Sequence, residues 1–536
     1  MPRETTESTL RADAAGVRAL SGRPFVFAHR VPRRVFGLTN REWMFVLTLT
    51  ALGFCLRWWS PAMRSDLWYD ELYSCVIARQ SFCEMLRTLF AGADANPPLY
   101  IVVLHFWLKI CQTDSEIKML SLLFGCAVIP ATYFAARAIG GKKLGGICCL
   151  LMAVSLPAIG YSSEVRAYSM LLMLSVLSTG LWFGLLMRAS DGAPRIRLRK
   201  ILYCVVTVLM LYAHWFGFLI VGIQVLALII YRPSLRNARA YAVCITIVLV
   251  SCLPLIPVFR NESAMRVAAG GFLWAGRPGI RSLFDVVAFL CGNKTLLSLS
   301  LLLFGAACFG FGTQMRADRA TLRHLIFSAT YFIVPIALIF AISNWLQHYS
   351  FFVQRYFLPF VLGVEMLIGL SLLRVRRVFS LIVLLAFVTA PVIRAARHSQ
   401  NADRPYSEAA SVLPSSYASD EVILHASPMS FFPIRHYARA DNRGAVEKVV
   451  WSKAAGESFP VRVDLSGGLL RADDLIDVGS IDRYREIWVV EDPLDHDGVL
   501  EQTLDELRAD PMLYLESSRK ISSLTVEHYI SLEEFE

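Results

Sequence analysis

The sequence predicts an α-helical polytopic membrane protein with a small C-terminal α/β domain, and three observations lead there. Hydrophobic residues make up 55% of the 536 and charged ones 18%, with a mean hydropathy of +0.50, more than the core of a soluble chain of this size requires. Apolar windows of bilayer-spanning length recur up to about residue 395. Charge then changes sign: residues 1–399 hold 40 Lys and Arg against 17 Asp and Glu, whereas residues 400–536 hold 13 against 26. The two parts face different tasks, with a boundary near 395–405. Most of the 12 cysteines lie inside apolar runs and none follows residue 308, so they read as packing residues rather than a disulfide framework.

Residues 1–41 are polar and basic, without the apolar core of a cleavable signal peptide, and read as a cytoplasmic tail. About 11 transmembrane helices are expected, near 42–60, 117–138, 143–160, 168–188, 200–213, 215–231, 240–259, 295–313, 323–343, 356–373 and 377–393. A twelfth apolar stretch, PPLYIVVLHFWLKIC at 97–111, is only 15 residues long, nearer a re-entrant or interfacial helix than a crossing. Leaving it on the outer side makes the basic links ARAIGGKK, RASDGAPRIRLRK, YRPSLRNARAY, TQMRADRATLRH and LRVRR all cytoplasmic. Counting it as a crossing would put all five outside.

This choice gives a membrane domain over 42–395, with outer loops at 61–116 and 260–294, and an outer domain over 396–536. In the first outer loop, LYSCVIARQSFCEMLRTLF (72–90) repeats its apolar residues at helical spacing and reads as an interfacial helix. In the outer domain, EVILHAS (421–427) and EIWVV (486–490) read as buried strands and GVLEQTLDELRA (498–509) as an amphipathic helix. No repeat, low-complexity tract or phosphate-binding glycine loop is visible, and no nucleic-acid partner is expected.

With sides assigned, ionisable residues from five separate segments collect on the outer face. They are Asp70 and Glu71 in DLWYDE, Asp94 with Asn96 in GADANPPLY, Glu164, Arg166 and Tyr168 in YSSEVRAY, His214 in AHWFG, and Arg355 in QRYFLP. Each has a structural reading: adjacent acids suit a helix N-terminus, a histidine between spans suits the interface, and arginines there bind lipid headgroups without specificity. Residues with unrelated structural roles have no reason to segregate, and this favours a shared site. Glu365, inside FVLGVEMLIGL, is either functional or a structural hydrogen-bond partner, since an acid within a span must face protein or water.

The order of these motifs resembles that of the GT-C membrane glycosyltransferases similar to protein O-mannosyltransferases and to the lipid A aminoarabinose and galacturonic acid transferases. WYDELYS matches the pattern aromatic-(F/Y)-D-E-x-x-S, DANPPLY matches D-x-H-P-P-L-Y, YSSEVRAY matches Y-S-x-E-x-R-x-Y, and QRYFLP matches R-Y-x-x-P, with AHWFG as a His-aromatic element. The likeness covers about residues 42–375. It departs from the pattern at Asn96, where many members carry His, and this puts proton transfer or metal binding at that position in doubt while leaving a hydrogen bond to a sugar hydroxyl.

The resemblance implies transfer of a sugar from a polyprenyl-phosphate-linked donor to an acceptor hydroxyl at the outer face of the cytoplasmic membrane, with inversion at the anomeric carbon. The acceptor class, whether lipid, glycan or protein, stays open; cell-envelope lipid or polysaccharide is the expected setting. Asp70 is the first choice as base, with Glu71 orienting it or contacting the acceptor. Arg166 and Arg355 are candidates for the departing phosphate, and Asp94, Asn96, Glu164, Tyr168 and His214 for the substrates. Glu164 is open between orienting Arg166, binding a sugar hydroxyl and ligating a divalent cation with Asp70. A divalent cation is compatible with the fold class, and no ligand spacing decides it. Trp68, Tyr69, Tyr168 and Trp215 bound the pocket or belong to an interfacial aromatic belt. The competing class is a polytopic secondary transporter, which would place its ionisable groups near the bilayer midplane and show internal repeats.

Overall fold

The computed structural model describes residues 38–187, 193–268, 276–311, 319–346, 350–397, 404–414, 418–425, 428–438, 447–451, 470–492, 504–505 and 507–532. Residues 1–37 of the expected tail and most of the expected helix at 498–509 therefore lie outside the described residues. The chain divides into a unit ending at Met44 and a body from Phe45 to Glu536.

The first helices are α1 (Asn40–Trp58), the short α2 (Pro61–Arg64), α3 (Tyr69–Arg79), α4 (Phe82–Phe90) and α5 (Leu99–Trp107). The single interfacial helix expected over 72–90 is thus two. Gln80 turns out of α3 with ψ 163°, and Ser81 starts α4 anew, its hydroxyl accepting the Glu84 N–H at 3.4 Å, as an N-cap serine does. The nine residues of α5 extend about 14 Å, half of a ~30 Å hydrocarbon core.

Next come α6 (Asp114–Val154), α7 (Leu156–Tyr161), α8 (Tyr168–Met187), α9 (Ala193–Ala213), α10 (Gly217–Tyr231), α11 (Leu235–Ser251), α12 (Leu255–Ala268), α13 (Ile280–Cys291), α14 (Lys294–Phe311), α15 (Arg319–Trp345), a 3₁₀ segment (Gln354–Phe360) leading into α16 (Val361–Leu372), and α17 (Arg377–Arg397). The helical path of α6 breaks at Gly140 and Gly141, the latter at φ 85°, a conformation that favours glycine. The break falls where the sequence predicts the ARAIGGKK turn.

Among the described residues four helices are long and apolar enough to cross a membrane: α6, α8, α15 and 354–372. The number rises to six if the bent pairs α11 with α12 (56°) and α13 with α14 (83°) each count as one span. This is fewer than the eleven expected, because α10, at 15 residues, falls short of crossing length and because α6 runs through two expected spans. The chain is a mostly helical membrane protein.

The C-terminal part contains α18 (Tyr406–Val412), α19 (Pro428–Tyr437) and a six-stranded mixed sheet of order β3-β2-β1-β4-β6-β5. Its strands are β1 (Glu421–His425), β2 (Glu447–Trp451), β3 (Leu475–Asp477), β4 (Glu486–Glu491), β5 (Leu513–Ile521) and β6 (Leu524–Ser531). β1 pairs in parallel with β2 and β4, and β6 antiparallel with β4 and β5. Both expected strands are present as the sheet centre, with Val422, Ile423, Leu424, Ile487, Val489 and Val490 buried, the apolar run of strands covered on both faces. Trp68, from the segment before α3, packs against the cluster of Tyr406, Ala409, Ile423 and Ile434, and Tyr69 lies 5.9 Å from Phe432 of α19.

Candidate active site

Asp70 and Glu71 occupy the first turn of α3, where the unpaired N–H groups and the helix dipole favour carboxylates. They point to different tasks. Glu71 is wholly buried and fully engaged: Oε1 accepts the Val165 N–H at 2.9 Å, and Oε2 accepts the Trp68 N–H at 3.2 Å and pairs with Arg404 Nη1 at 3.0 Å. It ties the α3 start to the turn before α8. Asp70 is part-exposed, and its Oδ2 lies 3.1 Å from Arg355 Nη2 in an ion pair without hydrogen-bond alignment.

Arg355 leads the 3₁₀ segment into α16, and aromatic rings surround its guanidinium. Its Cζ stands 5.5 Å from the Trp68 ring and 5.9 Å from those of Tyr168 and Tyr356, within cation–π range. Tyr168 opens α8, with its ring 6.0 Å from His214 and 6.4 Å from Tyr356. Its buried hydroxyl has no hydrogen-bond partner among the described residues. His214 follows α9; its Nδ1 accepts the Phe216 N–H at 3.1 Å, which assigns the proton to Nε2, a buried donor with no protein partner. Burial, with the Arg166 and Arg355 charges, brings His214 down to about 3, so it stays neutral across the working range.

Glu164 is the third carboxylate of the cluster. Oε1 lies 3.6 Å from Arg404 Nη2, and Oε2 is buried without a hydrogen-bond partner among the described residues. Burial and the nearby Glu71 push its carboxyl up to about 7, against the opposing effect of Arg404 and Arg355.

Arg166 sits differently from Arg355. Its Nη1 donates to Ser74 Oγ at 2.9 Å and to the Asp70 carbonyl at 3.4 Å, while Nη2 pairs with Asp94 at 3.5 Å. Both side chains of that pair are buried, so Arg166 is braced against protein groups in this structure. Asn96 is buried one residue before Pro97, and no hydrogen bond or ion pair joins it to Glu164, His214 or Arg355 among the described residues. Trp215 is turned to another task, its indole N–H donating to Glu262 at 2.9 Å. Glu365 is buried within α16, and among the described residues no hydrogen bond or ion pair links it to this cluster.

Arg404, Tyr356 and Asp66 are additions that sequence reasoning missed. Asp66 accepts the Ser407 N–H at 2.7 Å and so holds the start of α18. Arg404 carried no recognisable signal, standing 333 residues from Glu71 and far along the chain from Glu164, whereas Tyr356 stood beside Arg355 in QRYFLP.

Among the described residues no group of three or more His, Cys, Asp or Glu is placed to hold a metal ion. Asp70, Glu71 and Glu164 are instead each faced by an arginine, an arrangement that does not fit a shared divalent cation.

No protein-family model and no curated protein sequence matches the chain. Solved structures do. The apo form of ArnT from Cupriavidus metallidurans superposes with a TM-score of 0.58 at 12% identity, covering 91% of this chain and 98% of that one. The same protein bound to undecaprenyl phosphate gives 0.57 at 14% identity with the same coverage. At such identities the likeness speaks for architecture, and it agrees with the motif order from WYDELYS to QRYFLP: the chain has the fold of the GT-C membrane glycosyltransferases.

Proposed function

We propose that this protein is a membrane glycosyltransferase that moves a sugar from a polyprenyl-phosphate donor to an acceptor hydroxyl at the outer face of the cytoplasmic membrane, in cell-envelope glycosylation. The observation that carries this reading is the Asp70–Arg355 pair. A carboxylate and a guanidinium meet at 3.1 Å beside three buried polar atoms without protein partners, Tyr168 Oη, His214 Nε2 and Glu164 Oε2. Buried polar atoms normally have partners, and here a sugar's hydroxyls would supply them. The undecaprenyl phosphate bound by ArnT supports the donor class.

In this reading Asp70 takes the proton from the acceptor oxygen as that oxygen attacks the anomeric carbon. The C–O bond to the lipid phosphate breaks, and Arg355 stabilises the charge growing on the phosphate oxygens, a planar fork suited to that task. Direct displacement inverts the anomeric centre. His214, neutral, donates from Nε2 to a sugar hydroxyl, while Glu164 accepts from one. Glu71, Arg166 and Asp94 hold the frame. The aromatic rings around Arg355 exclude water and strengthen its charge interactions.

The topology belongs to the same proposal: a cytoplasmic tail at 1–41, eleven crossings within 42–395, and the site and the 396–536 domain outside. Two measurements test it. Cells with and without the protein are compared by mass spectrometry of glycolipids and surface glycans, where the missing mass names the sugar and its carrier names the acceptor. Purified protein in proteoliposomes is then given a panel of undecaprenyl-phosphate-linked aldoses with those glycolipids, with release of undecaprenyl phosphate as readout. Identical glycan profiles together with no release from any donor would sink the transferase reading.

A further inference from the structure

Every residue given a part in that reaction belongs to the membrane portion of the chain, yet one charged group reaches the cluster from the acidic C-terminal portion. Arg404 stands two residues before α18. Its Nη1 donates to Glu71 Oε2 at 3.0 Å, its Nη2 lies 3.6 Å from Glu164 Oε1, and its guanidinium stacks 5.0 Å over the Trp68 ring. The other face of the site is thereby tied to the sheet domain. Asp66 accepts from Ser407, and the Tyr437 hydroxyl accepts the Leu67 N–H at 2.7 Å while donating to Asp114. Three consecutive residues before α3, Asp66, Leu67 and Trp68, therefore each rest on the outer domain or its leading segment.

We propose that Arg404 is a positioning residue through which the C-terminal domain completes the site, holding Glu71 against the Trp68 and Val165 N–H groups and keeping Glu164 a carboxylate. Glu71 is buried with no exposure, and a buried charge deprived of its counter-ion is strongly unfavourable. Arg404 supplies that counter-ion, so the geometry of the α3 start and of the Glu164–Arg166 turn depends on it. The groups facing Glu164 are Glu71 and Asp70 from α3, Arg355 from the 3₁₀ segment, and Arg404. Removing Arg404 leaves two carboxylates against one guanidinium, and Glu164 then takes up its proton at higher pH. The activity consequence rests on the transferase reading; the structural consequence does not.

The test has two arms on the full chain in nanodiscs, comparing wild type with Arg404→Gln and Arg404→Lys. By hydrogen–deuterium exchange, Arg404→Gln should speed exchange about tenfold over 68–74 and 161–168, as expected for loss of a charge-assisted hydrogen bond, and leave β4 and β6 unchanged; Arg404→Lys should fall between. In transfer from an undecaprenyl-phosphate-linked aldose that the wild type turns over, the acid limb should centre near pH 7 and move up by about one unit or more in Arg404→Gln, the effect of removing an opposite charge at this range. In the Glu164→Gln background Arg404→Gln should shift nothing. Wild-type exchange rates and an unshifted limb in Arg404→Gln would overturn the inference. Should Arg404→Gln fail to insert, wild-type exchange in Arg404→Lys overturns it equally. If the wild type turns over no donor, the transferase reading falls and the exchange arm alone decides on Arg404.

Discussion

Two arginine–carboxylate pairs meet at the start of α3, Arg166–Asp94 and Arg355–Asp70, and they differ in what surrounds them. Arg166 and Asp94 are both buried, 3.5 Å apart, and Arg166 also donates to Ser74 and to the Asp70 carbonyl. Arg355 and Asp70 are closer, at 3.1 Å, yet each keeps about a fifth of its side chain exposed, at 17% and 20%. The rings of Trp68, Tyr168 and Tyr356 stand within 5.9 Å of the Arg355 guanidinium. One pair is closed and holds backbone in place; the other is part-exposed, the open side that the proposed reaction assigns to the phosphate and hydroxyl. The same residue types in neighbouring motifs thus serve opposite ends, and the neighbouring donors and acceptors decide which.

The largest effect should come from the open pair. Asp70→Asn keeps the shape but removes the base, so turnover should fall about 10²- to 10⁴-fold, with unchanged insertion and thermal unfolding. Near-normal turnover in proteoliposomes would remove Asp70 as base. Arg355→Ala should lower turnover about 10²-fold by withdrawing a charge from the developing phosphate, and it should weaken retention of undecaprenyl phosphate. Unchanged retention would count against a phosphate-facing Arg355.

The closed pair predicts the reverse pattern. Asp94→Asn leaves the buried Arg166 charge without its carboxylate, a loss of about 3 kcal/mol. The thermal midpoint in detergent should drop, whereas Arg355→Ala should leave it in place. If Asp94→Asn unfolds at the wild-type temperature while losing donor binding, the two pairs have been assigned the wrong way round.

What the sequence made legible follows from the range of the forces involved. Apolar runs and basic loops locate helices, since both respond to the bilayer itself; the Gly140–Gly141 break appears where the charge pattern put a turn. The motifs also brought Asp70, Glu164, Tyr168, His214 and Arg355 to the same face, and these five meet in the structure. The division of labour among them stayed hidden. Whether Glu71 is catalytic or a brace depends on Val165, 94 residues away, and whether Arg166 is free depends on Asp94 and Ser74. Arg404 was least legible: a lone arginine before a proline, in a segment of opposite net charge, acquires its partners only when the sheet domain docks against α3. The span count is only coarsely matched, with four to six described candidates, because helices buried against other helices need not individually be long or apolar enough to cross.

The smallest expected effect isolates the pH dependence of the open side. Burial moves two of the groups there, Glu164 and His214, in opposite senses. Glu164 is raised to about 7 and His214 lowered to about 3, so of these two only Glu164 changes charge between pH 5 and 9, becoming protonated as pH falls. The acid limb of transfer should therefore belong to Glu164. His214→Phe removes one hydrogen-bond donor to the sugar and should cost about tenfold in turnover or less, with the limb unmoved, whereas Glu164→Gln should abolish the limb. A limb that vanishes in His214→Phe but survives in Glu164→Gln would mean that the histidine, not the carboxylate, carries the titrating proton. The Nδ1 contact with Phe216 would then have to give way in the working enzyme.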